Sequence, residues 1–286
     1  MKIGVLASGN LGAICLNKCL SNLNPLFIAT DSNSTAIIDI ATKNNIPLFK
    51  GNPRNGKLAA FLSNNTFDIL LSINYLFILE DDVINKALYP INFHGSLLPK
   101  YRGRTPHIWA IINNEKITGI TAHIIDNGCD TGDIVLQEKI EIEEEETGAN
   151  ILAKYENIYP VMIDKVLNMF AQKKLKASAQ DGTKATYFGK RTPADGKVNW
   201  NWQKEQIKNW VRAQAFPYPG AFGYINEEKV IIDQIAFSEY GFIETDHNGL
   251  VLSTTPNIVV KTPNGAIELT VVRGNINTIT KGQIFV

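Results

Sequence analysis

Apolar positions in the first 140 residues come in short blocks separated by turn formers. Residues 2–7 form an apolar run that ends in Ser8-Gly9-Asn10-Leu11-Gly12, and a helical spacing of apolar residues follows to about Leu20. That order of strand, glycine turn and helix opens a βαβ unit. Residues 25–30 and 46–49 continue as short strands around a helix at 34–43. Residues 68–74 are a continuous apolar run, as expected of a central parallel strand covered on both faces. Residues 119–125 and 134–140 read as two further strands around the turn-rich segment Asp126-Asn127-Gly128-Cys129-Asp130-Thr131-Gly132. Together they predict an α/β domain built on an open, mostly parallel sheet.

Ile151, Tyr155, Ile158, Met162 and Val166, spaced by three and four, predict a long helix capped by Thr147 and kinked at Pro160. The acidic run Glu143 to Glu146 reads as a solvated loop well placed for the helix dipole. Residues 182–201 lack a long apolar period and read as a linker with some order. A helix follows at 203–215, and then short strands at 221–225, 230–236, 250–253, 258–261 and 267–272. The expected division is a catalytic domain at 1–182, a linker at 183–202 and a small β-rich, barrel-like domain at 203–286.

The 286 residues carry 28 basic and 28 acidic side chains, so no whole-protein field for nucleic acid or an anionic membrane exists. Three cysteines, Cys15, Cys19 and Cys129, fit a reducing compartment better than a disulfide framework. Cys15 and Cys19 read as small buried thiols; nothing nearby completes a metal site. The first residues lead directly into a strand without the features of a signal peptide, and no apolar run is long enough to span a bilayer. The expected location is cytoplasmic.

The chemistry concentrates in Ile91-Asn92-Phe93-His94-Gly95. Strand alternation places Asn92 and His94 on one face, and Gly95 ends the strand immediately afterwards. Both polar groups then emerge at the carboxyl edge of the sheet, where open α/β folds bind ligands. An amide and an imidazole there can hold a carbonyl oxygen and handle a proton. Asp126, Asp130 and Asp133 supply a possible third group to orient His94, and spacing leaves open which.

Asn92-Phe93-His94-Gly95-Ser96-Leu97-Leu98-Pro99, continued by Lys100-Tyr101-Arg102-Gly103, resembles the signature of the N10-formyltetrahydrofolate-dependent formyltransferases. So does Asp126-Asn127-Gly128-Cys129-Asp130-Thr131-Gly132-Asp133-Ile134. The resemblance implies a Rossmann-like formyltransferase fold and places the catalytic asparagine, histidine and aspartate on Asn92, His94 and Asp130. It leaves open whether His94 or Asp130 finally takes the amine proton. It implies N10-formyltetrahydrofolate as co-substrate, no metal, and folate contacts at Tyr75, Phe77, Ile78, Leu79, Leu97, Leu98 and Asp126.

Ala185-Thr186-Tyr187-Phe188-Gly189-Lys190-Arg191-Thr192-Pro193 and Pro217-Tyr218-Pro219-Gly220-Ala221-Phe222 resemble the two-domain branch of that family, which includes methionyl-tRNA formyltransferase and the nucleotide-sugar N-formyltransferases. Residues 201–286 carry seven basic and eight acidic side chains, a net charge of −1 and a poor surface for tRNA phosphates. The segment Tyr101 to Trp109 is closer to the sugar branch, which implies a UDP- or dTDP-linked amino sugar as acceptor and no nucleic-acid partner. Ser8, Gly9, Asn10, Arg102, Arg104, Trp109, Lys190 and Arg191 are the substrate-binding candidates, the guanidinium groups as phosphate partners. Related sugar enzymes imply a homodimer. A nucleotide-binding oxidoreductase is the reading from another class, weakened by an incomplete glycine fingerprint and by the lack of an evident acidic ribose ligand.

Overall fold

The computed structural model describes residues 1–286. The chain divides into two compact units, each discontinuous in sequence. Unit 1 comprises Met1–Gly103, Thr118–Ile140 and Ala153–Phe188; unit 2 comprises Arg104–Ile117, Glu141–Leu152 and Gly189–Val286.

Unit 1 is built on a seven-stranded sheet. In chain order the elements begin β1 (Ile3–Ala7), α1 (Gly9–Leu23), β2 (Phe27–Thr30), α2 (Thr35–Lys43), β3 (Leu48–Lys50), α3 (Lys57–Leu62), β4 (Phe67–Ile73), α4 (Asp81–Ile84) and β5 (Ala87–His94). The chain continues with β6 (Arg102–Gly103), α5 (Pro106–Ile112, in unit 2), β7 (Ile117–Ile124), β8 (Ile134–Glu141), α6 (Gly148–Ala171, its first turn in unit 2) and β9 (Tyr187–Phe188). The sheet order is β3-β2-β1-β4-β5-β7-β8. From β3 to β5 all neighbours are parallel, and β7 turns antiparallel against β5. The chain leaves β1 for β2 and β3 on one side and returns on the other as β4, so the topological switch point lies between β1 and β4. All five residues of β1 are buried, and β4 is buried at six of seven positions, which is why both are rich in apolar residues on both faces. Leu6, Phe27, Leu58, Phe67 and Leu70 close one face of the core.

α6 begins where Thr147 caps it: the hydroxyl accepts from Asn150 N at 3.3 Å. The helix runs through Pro160 to Ala171. Gly95 sits under it with no room for a side chain, since a Cβ would stand 2.7 Å from the Tyr155 ring.

Unit 2 contains α7 (Lys204–Ala213) and strands β10 (Ala221–Ile225), β11 (Glu228–Ser238), β12 (Val251–Ser253), β13 (Ile258–Thr262) and β14 (Gly265–Arg273). The strands form one antiparallel sheet in the order β10-β11-β14-β13-β12, the β-rich domain the spacing predicts. Ile207 and Val211 of α7 pack with Val230, Ile232, Ile267 and Phe285 in its core. Residues 182–201, expected as a linker with some order, carry local structure. They hold β9, short helical turns at Gly182–Lys184 and Pro193–Gly196, and the buried side chains of Val198 and Trp200. The apolar period misses them because Val198 and Trp200 are single anchors separated by polar residues.

Candidate active site

The site is assembled at the carboxyl end of β5 in unit 1. Asn92 and His94 share a face of that strand as alternation requires, and Asn92 stands directly opposite His123 of β7. His94 is 7% exposed, buried more deeply than a group simply emerging from an edge. Its Nε2 lies 2.8 Å from the Tyr101 carbonyl. A carbonyl only accepts, so in the neutral ring Nε2 carries the proton and Nδ1 keeps its lone pair. That Nδ1 is 3.5 Å from Asp130 Oδ2.

Among the three aspartates the structure brings Asp130 to His94. Its backbone is left-handed, with φ of 55°, at the end of the glycine turn. Oδ2 accepts from Gly103 N at 2.9 Å, and Oδ1 lies 3.5 Å from both His123 Nε2 and Asn92 Nδ2. Burial works against the Asp130 charge, but attraction to the His94 ring in its protonated form and the Gly103 N–H outweigh it and hold the carboxyl below the usual carboxylate range. Burial pushes His94 below its ordinary value, and Asp130 opposes that shift without cancelling it. The resting pair is thus a neutral imidazole beside a carboxylate. Asp126 serves its own turn instead, accepting from Gly128 N at 3.1 Å and Thr131 Oγ1 at 2.6 Å.

His123 is the residue the sequence reading missed. Its Nδ1 donates to the Ile124 carbonyl at 2.8 Å, which leaves Nε2 to accept from Asn92 Nδ2 at 3.1 Å. One amide hydrogen of Asn92 is therefore fixed by His123. The other makes the longer 3.5 Å contact with Asp130, the one an incoming carbonyl oxygen displaces most easily. The only signal in the sequence was the alternation of Thr121 and His123 along a strand.

Loop 96–100, which carries Leu97 and Leu98, is pinned by Thr121. The Thr121 hydroxyl donates to Ser96 O at 2.6 Å and accepts from Leu98 N at 3.1 Å and Gln137 Nε2 at 2.9 Å. Tyr155 O–H donates to Gly95 O at 2.6 Å and holds the turn after His94. Gly103 has φ of 100°, and a Cβ there would meet Phe188 O at 2.3 Å, so the strand pair β6–β9 tolerates only glycine at this point.

At the switch point Ser8 is fully buried, whereas Gly9 and Asn10 are exposed. Gly9 N donates to Ser34 Oγ at 2.8 Å, and Asn10 Nδ2 donates to Glu156 Oε1 at 3.0 Å. Ser34 in turn donates to Asp31, a buried carboxylate just beyond β2, where acidic ribose ligands of nucleotide folds stand. Its oxygens accept from Asn33 N and Ser34 Oγ, so here the acid braces the first turn. Along 75–79, Tyr75 and Leu79 pack on the core, Phe77 meets Tyr75 edge-on at 5.5 Å, and Ile78 is 64% exposed.

The arginine candidates are engaged within the protein. Arg102 is buried, donates to Gln180 Oε1 from Nε and Nη2 and to Tyr187 O–H from Nη1, and lies over the Tyr187 ring. In unit 2 the Arg191 guanidinium lies 5.1 Å from the Trp109 ring and 4.3 Å from that of Trp210, and donates to Asp195 O and Gln214 Oε1. Trp109 Nε1 donates to Gly189 O at 3.2 Å. Arg104 and Lys190 are exposed.

A hydrogen-bond donor fixed by a cross-strand histidine, beside a neutral imidazole and a depressed carboxylate, is equipped for attack of an amine on a carbonyl carbon. Fold and site therefore define an acyl-type group transferase built on an open α/β sheet. The family profile described as formyl transferase matches residues 7–167, and that of the formyl transferase C-terminal domain matches 190–285; the chain belongs to the formyl transferase family. It is 34% identical over 274 residues to the bifunctional polymyxin resistance protein ArnA of Wigglesworthia glossinidia brevipalpis, across 91% of this chain. It spans 41% of that protein's length. Among solved structures it is similar to WlaRD, a sugar 3N-formyl transferase in the presence of dTDP and 5-N-formyl-THF, with a TM-score of 0.74 and 22% identity, covering 98% of this chain and 99% of that one. An N-formyltransferase from Helicobacter canadensis in complex with folinic acid and dTDP-3-aminofucose gives 0.72 and 20%, covering 94% and 98%. A methionyl-tRNA formyltransferase from Clostridium thermocellum gives 0.58 and 16%, covering 93% and 100%. At these identities the likeness establishes a shared fold. Family membership removes the oxidoreductase reading.

Proposed function

We propose that this chain moves the formyl group of N10-formyltetrahydrofolate onto the amino group of a UDP- or dTDP-linked amino sugar destined for surface glycans. The observation that carries the reaction is the cluster of Asn92, His94 and Asp130 with its geometry fixed by His123, Tyr101 and Gly103. The sugar acceptor is supported by the likeness to two nucleotide-sugar enzymes at the higher TM-scores and by the net charge of −1 over 201–286. The exposed apolar side chains of Leu76 and Ile78 beyond β4 suit the flat ring of a folate.

In this mechanism the neutral amine attacks the formyl carbon and the carbonyl oxygen gains negative charge. Asn92 Nδ2–H donates to that oxygen as the charge develops, which is where a preorganised donor contributes most. The amine proton passes to the open Nδ1 of His94, and Asp130 stabilises the imidazolium. Asp130 itself is a poor final acceptor because its carboxyl is held below the usual range. As the C–N bond to the folate breaks, His94 returns the proton to the leaving nitrogen.

The test is turnover with N10-formyltetrahydrofolate and, separately, UDP- and dTDP-linked 4-amino and 3-amino sugars and methionyl-tRNA. Formylation of a sugar supports the acceptor; activity on methionyl-tRNA alone refutes it. His94→Ala and Asp130→Ala are expected to lower turnover by about 10²-fold or more while the thermal transition survives. Near-normal rates in either would sink the catalytic assignment.

A further inference from the structure

Unit 2 contains a cavity of about 780 Å³ whose wall includes none of the residues assigned to the reaction. Trp200, Trp202 and Trp210, three of the four tryptophans in the chain, line it. Trp200 is buried, with its ring 5.0 Å from that of Phe285, while Trp202 and Trp210 meet edge-on at 4.8 Å. Polar residues line the same cavity: Lys197, Asn199, Asn201, His247 and Asn248.

The amides are held in a fixed chain. Buried Lys261 donates from Nζ to Asn248 Oδ1 at 3.1 Å, and Asn248 Nδ2 donates to Asn201 Oδ1 at 2.9 Å. Asn201 N donates to Asn199 Oδ1 at 3.0 Å. These bonds occupy the acceptor oxygens of Asn199 and Asn201 and leave both NH2 groups as donors without a protein partner. In the same wall Trp200 Nε1 is a buried donor with no partner.

The chemistry selects among ligands. The side chains of the lining include one ammonium, Lys197, and one carboxylate, Asp195, which already accepts from Thr192 N and Oγ1 at 2.6 and 2.8 Å. With no excess of positive charge the cavity is poorly suited to a diphosphate. A wholly apolar ligand would strip water from the amides and the imidazole without replacing its hydrogen bonds. A hydroxylated ring does both jobs: its C–H faces pack on the indoles and its hydroxyl oxygens accept from the free amide groups. The geometry points to a binding site in unit 2 for a neutral saccharide, separate from the formyl-transfer site and independent of the acceptor proposed for it.

Because three of four tryptophans line the cavity, intrinsic tryptophan emission reports on it. The full chain is titrated with cellobiose, maltose and N,N′-diacetylchitobiose, and in a separate arm with UMP. The expected result is a saturable emission change at millimolar concentration with at least one disaccharide. In the Asn199→Ala/Asn201→Ala double variant, half-saturation should rise about tenfold, the size expected for losing two hydrogen bonds, with formyl transfer unchanged. Both asparagines are exposed, and an unaltered melting curve verifies that the variant folds. No saturable change with any disaccharide, or a change undiminished in the variant, overturns the proposal. Saturation by UMP alone also overturns it and assigns the cavity to a nucleotide.

Discussion

Substituting His123 tests whether the donor amide of Asn92 is held in place by its cross-strand neighbour. His123 Nδ1 donates to Ile124 O at 2.8 Å, and Nε2 accepts from Asn92 Nδ2 at 3.1 Å. His123→Leu fills the buried site with a similar volume but removes the acceptor. The lost hydrogen bond is worth about 0.5–1.5 kcal/mol, which predicts a fall in kcat of about threefold to tenfold as the amide loses its fixed orientation. Asn92→Ala deletes the donor itself and should cost about 10²–10³-fold. The informative measurement is the double-mutant cycle, with kcat and kcat/KM determined for the wild type, both single variants and the pair. If His123 acts through Asn92, His123→Leu has almost no effect once Asn92 is alanine. His123→Gln, which restores an acceptor, should recover part of the lost rate. An equal fall on both backgrounds would refute the reasoning and make His123 either a direct participant or a general stabiliser, which melting curves of the same four proteins separate.

Other perturbations probe neighbouring parts of the site. Because burial lowers His94, its neutral, proton-accepting form persists below pH 6.5, so the acid limb of kcat/KM should lie under that value. Asp130→Asn removes the charge that opposes the shift, so the limb should move lower still while turnover drops; a limb moving upward contradicts the assignment of His94 as base. Gly103→Ala places a Cβ 2.3 Å from Phe188 O at a φ of 100°, a strain of about 1–3 kcal/mol that should lower the Tm by a few degrees and reduce kcat as Asp130 loses the Gly103 N–H. Arg191→Ala removes a guanidinium lying over two indole rings, contacts of about 0.5–2 kcal/mol each; the Tm should fall while the KM for the nucleotide sugar holds. A raised KM at constant Tm would return Arg191 to the phosphate role that its chemistry suggests.

The fold was legible where one physical demand dominates. Strands β1 and β4 are covered on both faces, so β1 carries no polar side chain and β4 carries only Asp68 and Ser72, and Gly9 marks the turn between β1 and α1 through its φ of 66°. The strands of unit 2 were legible through regular spacing, and β10 was located at its observed ends. Residues 182–201 were not, because their order rests on isolated anchors such as Trp200 and on β9 pairing with β6, more than eighty residues away. The intramolecular partners of Arg102 and Arg191 were hidden for the same reason. A guanidinium in a loop suggests phosphate, and the partners that occupy it here, Gln180 and Tyr187 or Trp109 and Trp210, are local only in the folded chain.

The active site shows the same boundary within a single pair of strands. Period-two alternation suffices to put Asn92 and His94 together, because both lie on one strand. It also puts Thr121 and His123 on one face of β7. What it cannot supply is register: a slip of one residue between β5 and β7 would turn the β7 pair away from the site, and nothing in either strand's sequence fixes that choice. The observed pairing, His94 opposite Thr121 and Asn92 opposite His123, converts two separate alternations into one site. Thr121 then holds the loop after His94, and His123 holds the amide that the proposed mechanism sets against the developing charge. In the proposed mechanism strand register is therefore a catalytic variable of the fold. A β7 substitution that shifts pairing without unfolding the sheet should therefore abolish turnover while leaving Asn92, His94 and Asp130 chemically intact.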